Sequence, residues 1–343
     1  MASMTTYATD IVFADDAVKA LCVANWDTNG DGELSMEEAA AVTSLGAVFR
    51  ENTTIASFEE LSYFTGLTAI NDYAFYKSSV QKIAIPHSVT NIGQYAFSQS
   101  RISGVLNIPG TVKDVSRYAF YSCSRLTGVV AEEGLQTIGY CSFYGPIAFL
   151  SLPASLTYIN NMAINPFVSG DSSTGISVPE GDLYVYTHAS TPAEINAFAF
   201  YYVFAEGHLV VPIGLIDTYK AVDGWSHFGE YLEFGDIDMD GDIDIDDLGL
   251  IKDYINGEAG DGFNKDIADT NGDGVVDEVD VQNIADIISQ GETTGIENTY
   301  VKDDNPYNGT SDVYNLNGQK VGTSLDGLPK GIYIVRGRKV LVK

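Results

Sequence analysis

Three stretches of the chain set oxygen-bearing side chains at the spacing a hard divalent cation asks for. The first is Asp27-Thr-Asn29-Gly-Asp31-Gly32-Glu33-Leu-Ser35-Met-Glu-Glu38. Calcium is held by a twelve-residue loop with ligands at positions 1, 3, 5, 7 (through its carbonyl), 9 and 12, and a glycine at 6 where the chain turns sharply. Asp27, Asn29 and Asp31 fall at 1, 3 and 5, Gly32 at 6, Glu33 at 7 and Glu38 at 12. The second is Asp236-Ile-Asp238-Met-Asp240-Gly241-Asp242-Ile-Asp244-Ile-Asp-Asp247. The third starts 33 residues later, Asp269-Thr-Asn271-Gly-Asp273-Gly274-Val275-Val-Asp277-Glu-Val-Asp280. Their candidate ligands are Asp236, Asp238, Asp240, the Asp242 carbonyl and Asp247, then Asp269, Asn271, Asp273, the Val275 carbonyl and Asp280. Both close on aspartate, which reaches less far than Glu38. A plain Asx-turn would explain the Asp, Asn and Gly of such a loop, but not a glycine at 6 together with a carboxylate at 12.

Helices must hold these loops. Before the first loop, Val18, Leu21 and Cys22 share one helical face, and after it Glu37 to Leu45 is alanine-rich and helix-prone. This helix-loop-helix resembles an EF-hand. Such hands usually pair, and this one is alone, so it is expected to lean on whatever follows it as an N-terminal cap.

The later loops are each followed by a helical stripe, Leu248, Ile251, Tyr254 and Ile255, then Val281, Ile284, Ile287 and Ile288. The stretches before them, Gly224 to Gly235 and Gly257 to Gly262, are turn-like, so no entering helix is expected. Residues 236–286 carry 17 acidic and 2 basic residues, a net of -15. An acidic disordered tail would show neither the ligand spacing nor the stripes. Loop plus exiting helix, twice, resembles a dockerin over about residues 235–290. That resemblance implies Ca2+ as cofactor and a cohesin-like partner met through loop positions 10 and 11. Those positions are Ile245 and Asp246 in one copy, Glu278 and Val279 in the other; the pairs differ, so the two copies are not expected to be interchangeable.

The middle of the chain repeats. Leu67-Thr-Ala-Ile-Asn-Asp-Tyr-Ala-Phe75, Val89-Thr-Asn-Ile-Gly-Gln-Tyr-Ala-Phe97, Val112-Lys-Asp-Val-Ser-Arg-Tyr-Ala-Phe120 and Leu135-Gln-Thr-Ile-Gly-Tyr-Cys-Ser-Phe143 place their last phenylalanines 22, 23 and 23 residues apart. Each copy is followed by a β-rich run such as Lys82-Ile-Ala-Ile-Pro86 or Val105-Leu-Asn-Ile-Pro109. One strand per period, closed by proline, is the pattern of a solenoid coil, and coils must stack because one coil cannot bury its own Ile, Tyr and Phe. The repeat resembles the BspA-like leucine-rich repeats of bacterial surface proteins over about residues 61–215. Met162 to Pro166 and Asn196-Ala-Phe-Ala-Phe200 depart from it, and Leu209 to Trp225 reads as the array's end piece. The fold expected is an α+β solenoid, with an EF-hand cap over 1–60, repeats over 61–232 and a small all-α calcium module over 233–291.

Polar, glycine-rich residues 292–311 read as a linker. Val313 to Val321 and Gly331 to Lys343 alternate apolar and polar residues around Asn317-Gly318 and Arg336-Gly337 turns, a small antiparallel β domain over 312–343. With 7 basic and 4 acidic residues over 301–343, it resembles the C-terminal sorting domains read by the type IX secretion machinery. The other reading of it is a small β appendage to the dockerin-like module.

The 343 residues are 45% apolar and 19% charged, with a net charge of -29. That excludes a disordered chain and makes nucleic acid and anionic membranes poor partners. No apolar run is long enough to span a bilayer. The opening Met-Ala-Ser-Met-Thr resembles a cloning remnant, and any export leader is expected to be missing from this sequence. Cys22, Cys123 and Cys141 read as small buried residues. No HExxH, GxSxG, P-loop or GxGxxG in a strand-turn-helix setting is present. His87, His188, His208 and His227 have no acid partner at ligand spacing. Tyr76 and Tyr121, just after Ala-Phe, are candidates for an exposed contact face. The expectation is a secreted or surface-displayed bacterial calcium-binding protein, not an enzyme, acting in protein-protein or adhesive binding. Its solenoid would take a host or bacterial protein or a glycan. The alternative is a non-catalytic or carbohydrate-active subunit of a dockerin/cohesin-tethered complex, and a third reading is a spacer with no ligand.

Overall fold

The computed structural model describes residues 9–165, 183–200, 207–260, 263–290, 298–300, 313–315, 320–323, 328, 331–335 and 338–342. The chain divides into two compact units, Met1–Glu233 and Phe234–Lys343.

The first unit is a β-solenoid built on a column of phenylalanines. Phe49, Phe75, Phe97, Phe120 and Phe143 are fully buried, and consecutive rings stack nearly parallel at 5.2, 5.1, 5.0 and 5.3 Å between centroids. Each ring is covered above and below by its neighbours' rings, which is how a 22- or 23-residue coil too small for a core of its own acquires one. The backbone turns at these corners with Tyr73, Tyr95, Tyr118, Cys141 and Met162 in the left-handed region, at φ 61, 55, 60, 51 and 51°. That conformation costs a non-glycine residue free energy, and it is held because it aims alternate amides at the next coil. Tyr73, Phe75 and Lys77 donate to the carbonyls of Gln94, Ala96 and Ser98, and the pattern recurs at Phe97 to Ala119 and Phe120 to Ser142.

Two parallel sheets flank the column. Ser103–Ile108, Arg125–Ala131, Phe149–Leu152, Tyr184–Thr187, His208–Val211 and Glu230–Glu233 form one in that order. Ala69–Ile70, Asn91–Ile92, Asp114–Val115, Thr137–Ile138, Tyr158–Ile159 and Glu194–Ile195 form the other. Each coil therefore carries two strands where the repeat suggested one. The second strand is only two residues long, too short to show an alternation in sequence.

The solenoid begins before residue 61. Helix α1 (Asp16–Trp26) and helix α2 (Met36–Ala41) flank the first candidate loop, but α2 stops short of Leu45. Leu45 and Phe49 turn inward at 1% and 0% exposure, and Phe49 is the first rung of the column. Gly66 fits against this bend because a Cβ there would sit 2.4 Å from the Ala40 carbonyl oxygen. The cap is fastened by Asp15, whose Oδ1 accepts from Ala17 and Val18 at the start of α1 while Oδ2 accepts from Ala56 (2.6 Å) and Ser57 (3.1 Å). Partial burial opposes its charge, but the four amides outweigh it and hold its carboxyl below the usual range. At the far end Trp225, 1% exposed, donates Nε1 to Ala193 O and packs on Tyr219, Phe200 and Phe228. The sheet continues past this plug to Glu230–Glu233.

In the second unit, α3 (Ile216–Lys220) being in the first, helices α4 (Ile245–Ile255), α5 (Lys265–Ala268) and α6 (Glu278–Gln290) enclose a small core of Ile237, Leu248, Ile251, Ala268, Val281 and Ile284. Helix α5 is a short entering helix where none was expected. Asn264 caps it by accepting from Asp266 and Ile267. Tyr254 leaves the expected stripe and stacks on Phe263 at 4.4 Å. A further sheet joins Asn298–Tyr300, Arg338–Val342, Gly331–Val335, Val313–Tyr314 and Lys320–Gly322 in that order. Its neighbours are antiparallel except that Asn298–Tyr300, inside the stretch read as linker, pairs in parallel with Val340–Val342. The remaining linker residues and the Asn317-Gly318 and Arg336-Gly337 turns lie outside the described residues.

Removing one rung of the column exposes how much it carries. Phe97→Ala should destabilise the first unit by about 3–5 kcal/mol, the cost of a large buried cavity. Asp15→Ala should cost about 1–2 kcal/mol through the lost cap. Urea unfolding followed by fluorescence of Trp26 and Trp225 measures both; a Phe97→Ala change below 1 kcal/mol would contradict the column.

Candidate metal centres

The three loops fold on one hydrogen-bonding plan. The carboxylate at position 1 receives the amides of positions 4 or 5 and 6. Asp27 takes Gly30 and Gly32, Asp269 takes Gly272 and Gly274, and Asp236 takes Asp240 and Gly241, at 2.6–3.1 Å. Position 3 receives the amide of 5, and position 5 the amide of 7. The glycine at 6 has φ of 86, 93 and 86° at Gly32, Gly241 and Gly274, a conformation that excludes most side chains.

Position 12 closes each loop from the following helix. Glu38 Oε1 accepts from the Thr28 and Asn29 amides and Oε2 from Ser35, while Ser35 Oγ caps α2 in return. Asp247 takes Ile237, Asp238 and Asp244, and Asp280 takes Thr270, Asn271 and Asp277, in the same roles. The carboxylate at 12 is thus the inner partner of the helix cap, so loop and helix form together. Ser35, Asp244 and Asp277, at position 9, are the residues that ligand spacing alone passed over. The Ser-x-x-Glu and Asp-x-x-Asp capping signals before each helix would have found them.

Burial separates the loops. Asp247 and Asp280 are 1% and 0% exposed and Asp236 3%, whereas Asp238, Asp240, Asn271 and Asp273 face solvent. Burial, and after it the neighbouring Asp247 charge, pushes the Asp236 carboxyl up to about 7, and burial pushes Asp247 up to about 6. At Glu38 the Ser35 amide, against some burial, and the Thr28 donors hold the carboxyl at about 2. Asp236, Asp238 and Asp240 bring a carboxylate oxygen each to within 4.8 Å of one another. A donor set made only of oxygens suits a hard cation such as Ca2+ rather than a thiophilic metal. Asp27, Asn29, Asp31, Glu38 and the Glu33 carbonyl offer the same set in the first loop. There the Glu33 side chain is turned away to Lys19 Nζ at 2.6 Å.

Among the described residues no second hand pairs with the first loop. Instead Ile11 donates to the Leu34 carbonyl and Met36 to Thr9, both at 2.9 Å, so the chain's own N-terminal segment supplies the bridging strand. The candidate partner residues of the second unit are all exposed, Ile245 by 56% and Val279 by 52%, with Asp246 and Glu278 beside them. Two histidines do have acid partners: His208 Nδ1 meets Glu230 Oε2 from the next coil, and His227 Nε2 lies 3.4 Å from Asp223. His208 also stacks on Tyr184 at 4.2 Å. The three cysteines are buried and unpaired, with burial pushing the Cys123 thiol up to about 12.

Residues 49–167 match the model of the BspA type leucine rich repeat region, in six copies, and residues 234–289 match that of the dockerin type I domain. No curated protein matches the chain. The two families fit a surface or extracellular protein-binding role, and no helix among the described residues is long and apolar enough to cross a membrane.

The raised carboxyls give a signed pH dependence. An acid whose folded value of about 7 or 6 exceeds its unfolded 3.8 favours the metal-free fold at low pH, and that contribution is lost as pH rises from about 4 to 7. Calcium needs the ionised form, so its effect should run the other way. Amide exchange in Ile245–Ile255 should respond to chelator strongly at pH 8 and weakly at pH 5. Asp240→Ala with Asp273→Ala should lower helix protection in millimolar calcium at pH 8 to that of the chelated chain and change it little at pH 5. Equal chelator effects at the two pH values would contradict the assignment of these carboxylates as ligands.

Proposed function

We propose that the chain is a non-catalytic, calcium-dependent binding protein of the bacterial exterior. The solenoid engages a protein or glycan partner in recognition or adhesion, and the dockerin-like module anchors the chain to a cohesin-like partner. The observation that carries this reading is the shared plan of the three loops, in which one carboxylate both closes the metal site and caps a helix. Calcium then governs folding of the module: ligand charges that repel when bare, a net -15 over residues 236–286, become the source of its stability. At a hundred-fold excess over Kd, each site adds about 2.7 kcal/mol. The N-terminal loop is expected to be less metal-dependent, because Asp15 and the Ile11–Leu34 bridge already hold it. The C-terminal sheet, ending in cations, we assign to export sorting.

The dockerin match favours one further aspect, membership of a tethered extracellular complex. Its binding faces are unequal, since Ile245 and Asp246 stand where Glu278 and Val279 stand in the other half. Calorimetry against a cohesin panel, with Ile245 and Asp246 changed together to alanine and then Glu278 and Val279, should show a loss of at least about ten-fold from one double change and little from the other. Indifference to both would reject dockerin-type docking, as would cohesin binding that persists in chelator.

A further inference from the structure

An open hollow of about 530 Å³ lies where the cap segment meets the first repeat coils, lined by Ser44, Arg50, Asn71, Asp72, Tyr73 and Asn91. Its volume is that of a small-molecule site. Its lining is mixed: the Tyr73 ring, Ala47, Ala69 and Ile70 are apolar, and the other side chains reaching it are amides, a hydroxyl, a carboxylate and a guanidinium.

The polar groups are partly spent, and what remains is complementary. Ser44 Oγ donates to Asn71 Oδ1 at 2.9 Å, leaving the Asn71 amide hydrogens as donors. Asn91 Nδ2 donates to Asp114 and Ser116 at 2.9 and 3.4 Å, leaving its carbonyl as an acceptor. Asp72 Oδ1 accepts from the Gln94 amide at 2.7 Å, a close approach that Gly93 permits, and its second oxygen remains. Interleaved donors and acceptors around an aromatic ring match vicinal sugar hydroxyls, which both give and take hydrogen bonds.

Charge refines the ligand. Arg50 Cζ lies 5.2 Å from the Tyr73 ring and 5.8 Å from the Tyr76 ring, and its guanidinium makes no ion pair among the described residues. Lys77 Nζ lies 5.1 Å from Tyr76, and Arg117 Nε donates to Gln94 one coil on. Tyr73 stacks on Tyr95 at 5.0 Å and Tyr95 on Tyr118 at 4.8 Å, and three cations near this row stand out in a chain of 18 basic and 47 acidic residues. A phosphate dianion would need more than the one fork. A single carboxylate matches one guanidinium bidentately.

We propose that this hollow is a saccharide site whose preferred ligand carries a carboxylate, as a uronic or sialic acid does, with Arg50 as the residue that selects the acid. This rests on the reading of the solenoid as the binding part. The test is calorimetric titration of the full chain in calcium with a glucuronate-terminated oligosaccharide and its glucose-terminated counterpart, and with sialyl-lactose and lactose. At least one acidic ligand should bind about ten-fold or more tightly than its neutral counterpart, the worth of a charged hydrogen-bonded pair. Arg50→Gln should erase that preference and Arg50→Lys should retain part of it; Arg50 is exposed, and circular dichroism should show both variants folded. No binding at millimolar ligand, equal affinity for acidic and neutral sugars, or an acid preference that survives Arg50→Gln would each overturn the site. A protein partner that binds the solenoid unaffected by Arg50→Gln and by free saccharide would overturn it too, while leaving the solenoid's role as the binding part standing.

Discussion

No coil of this protein can bury its own aromatic residue, and the architecture follows from that limit. A ring in one coil is dry only if the coils on either side place theirs over it, so the phenylalanines from Phe49 to Phe143 form one continuous column. Holding the rings in register demands that each corner turn identically, which is why Tyr73, Tyr95, Tyr118, Cys141 and Met162 accept the same strained backbone despite different side chains. The two ends of the array need covers. Asp15 fastens a helical one at one end, and Trp225 with Tyr219 and Phe228 forms the other.

The second unit solves the opposite problem. The cluster around Ile251 and Ile284 is small, and it is set among carboxylates that repel one another. The loops tie each position-12 carboxylate into the helix that follows, Asp247 accepting from the Asp244 amide and Asp280 from the Asp277 amide. On the calcium reading proposed above, folding and cation capture would be one event.

The column's phenylalanines, the three loops and the helices after them were legible because each rests on a fixed spacing that chemistry demands. What escaped had no such period. The coil of Leu45 and Phe49 lacks the Tyr-Ala-Phe signature, so Leu45 read as the end of a helix and Phe49 only as part of the cap over 1–60. The two-residue strands at Ile70 or Ile92 are defined by pairing with other coils rather than by local pattern. Asn298–Tyr300 became a strand only because Val340–Val342 offers it an edge, and Glu230 reaches His208 across a whole coil. Of the metal centres, the side chains at positions 1, 3, 5 and 12 were visible in sequence; the service of 9 and 12 as helix caps emerged from the fold.

The bonds that join one coil to the next, such as Phe75 to Ala96 and Phe97 to Ala119, run along the solenoid axis. Traction applied between its two ends therefore loads them a coil at a time, beginning at the outermost, instead of shearing a whole sheet at once. A 23-residue coil pulled straight yields about 75–80 Å of length. A chain that tethers two bodies through such an array behaves as an extensible link: it lengthens stepwise under drag, and a detached coil can re-form on the end of the column it left.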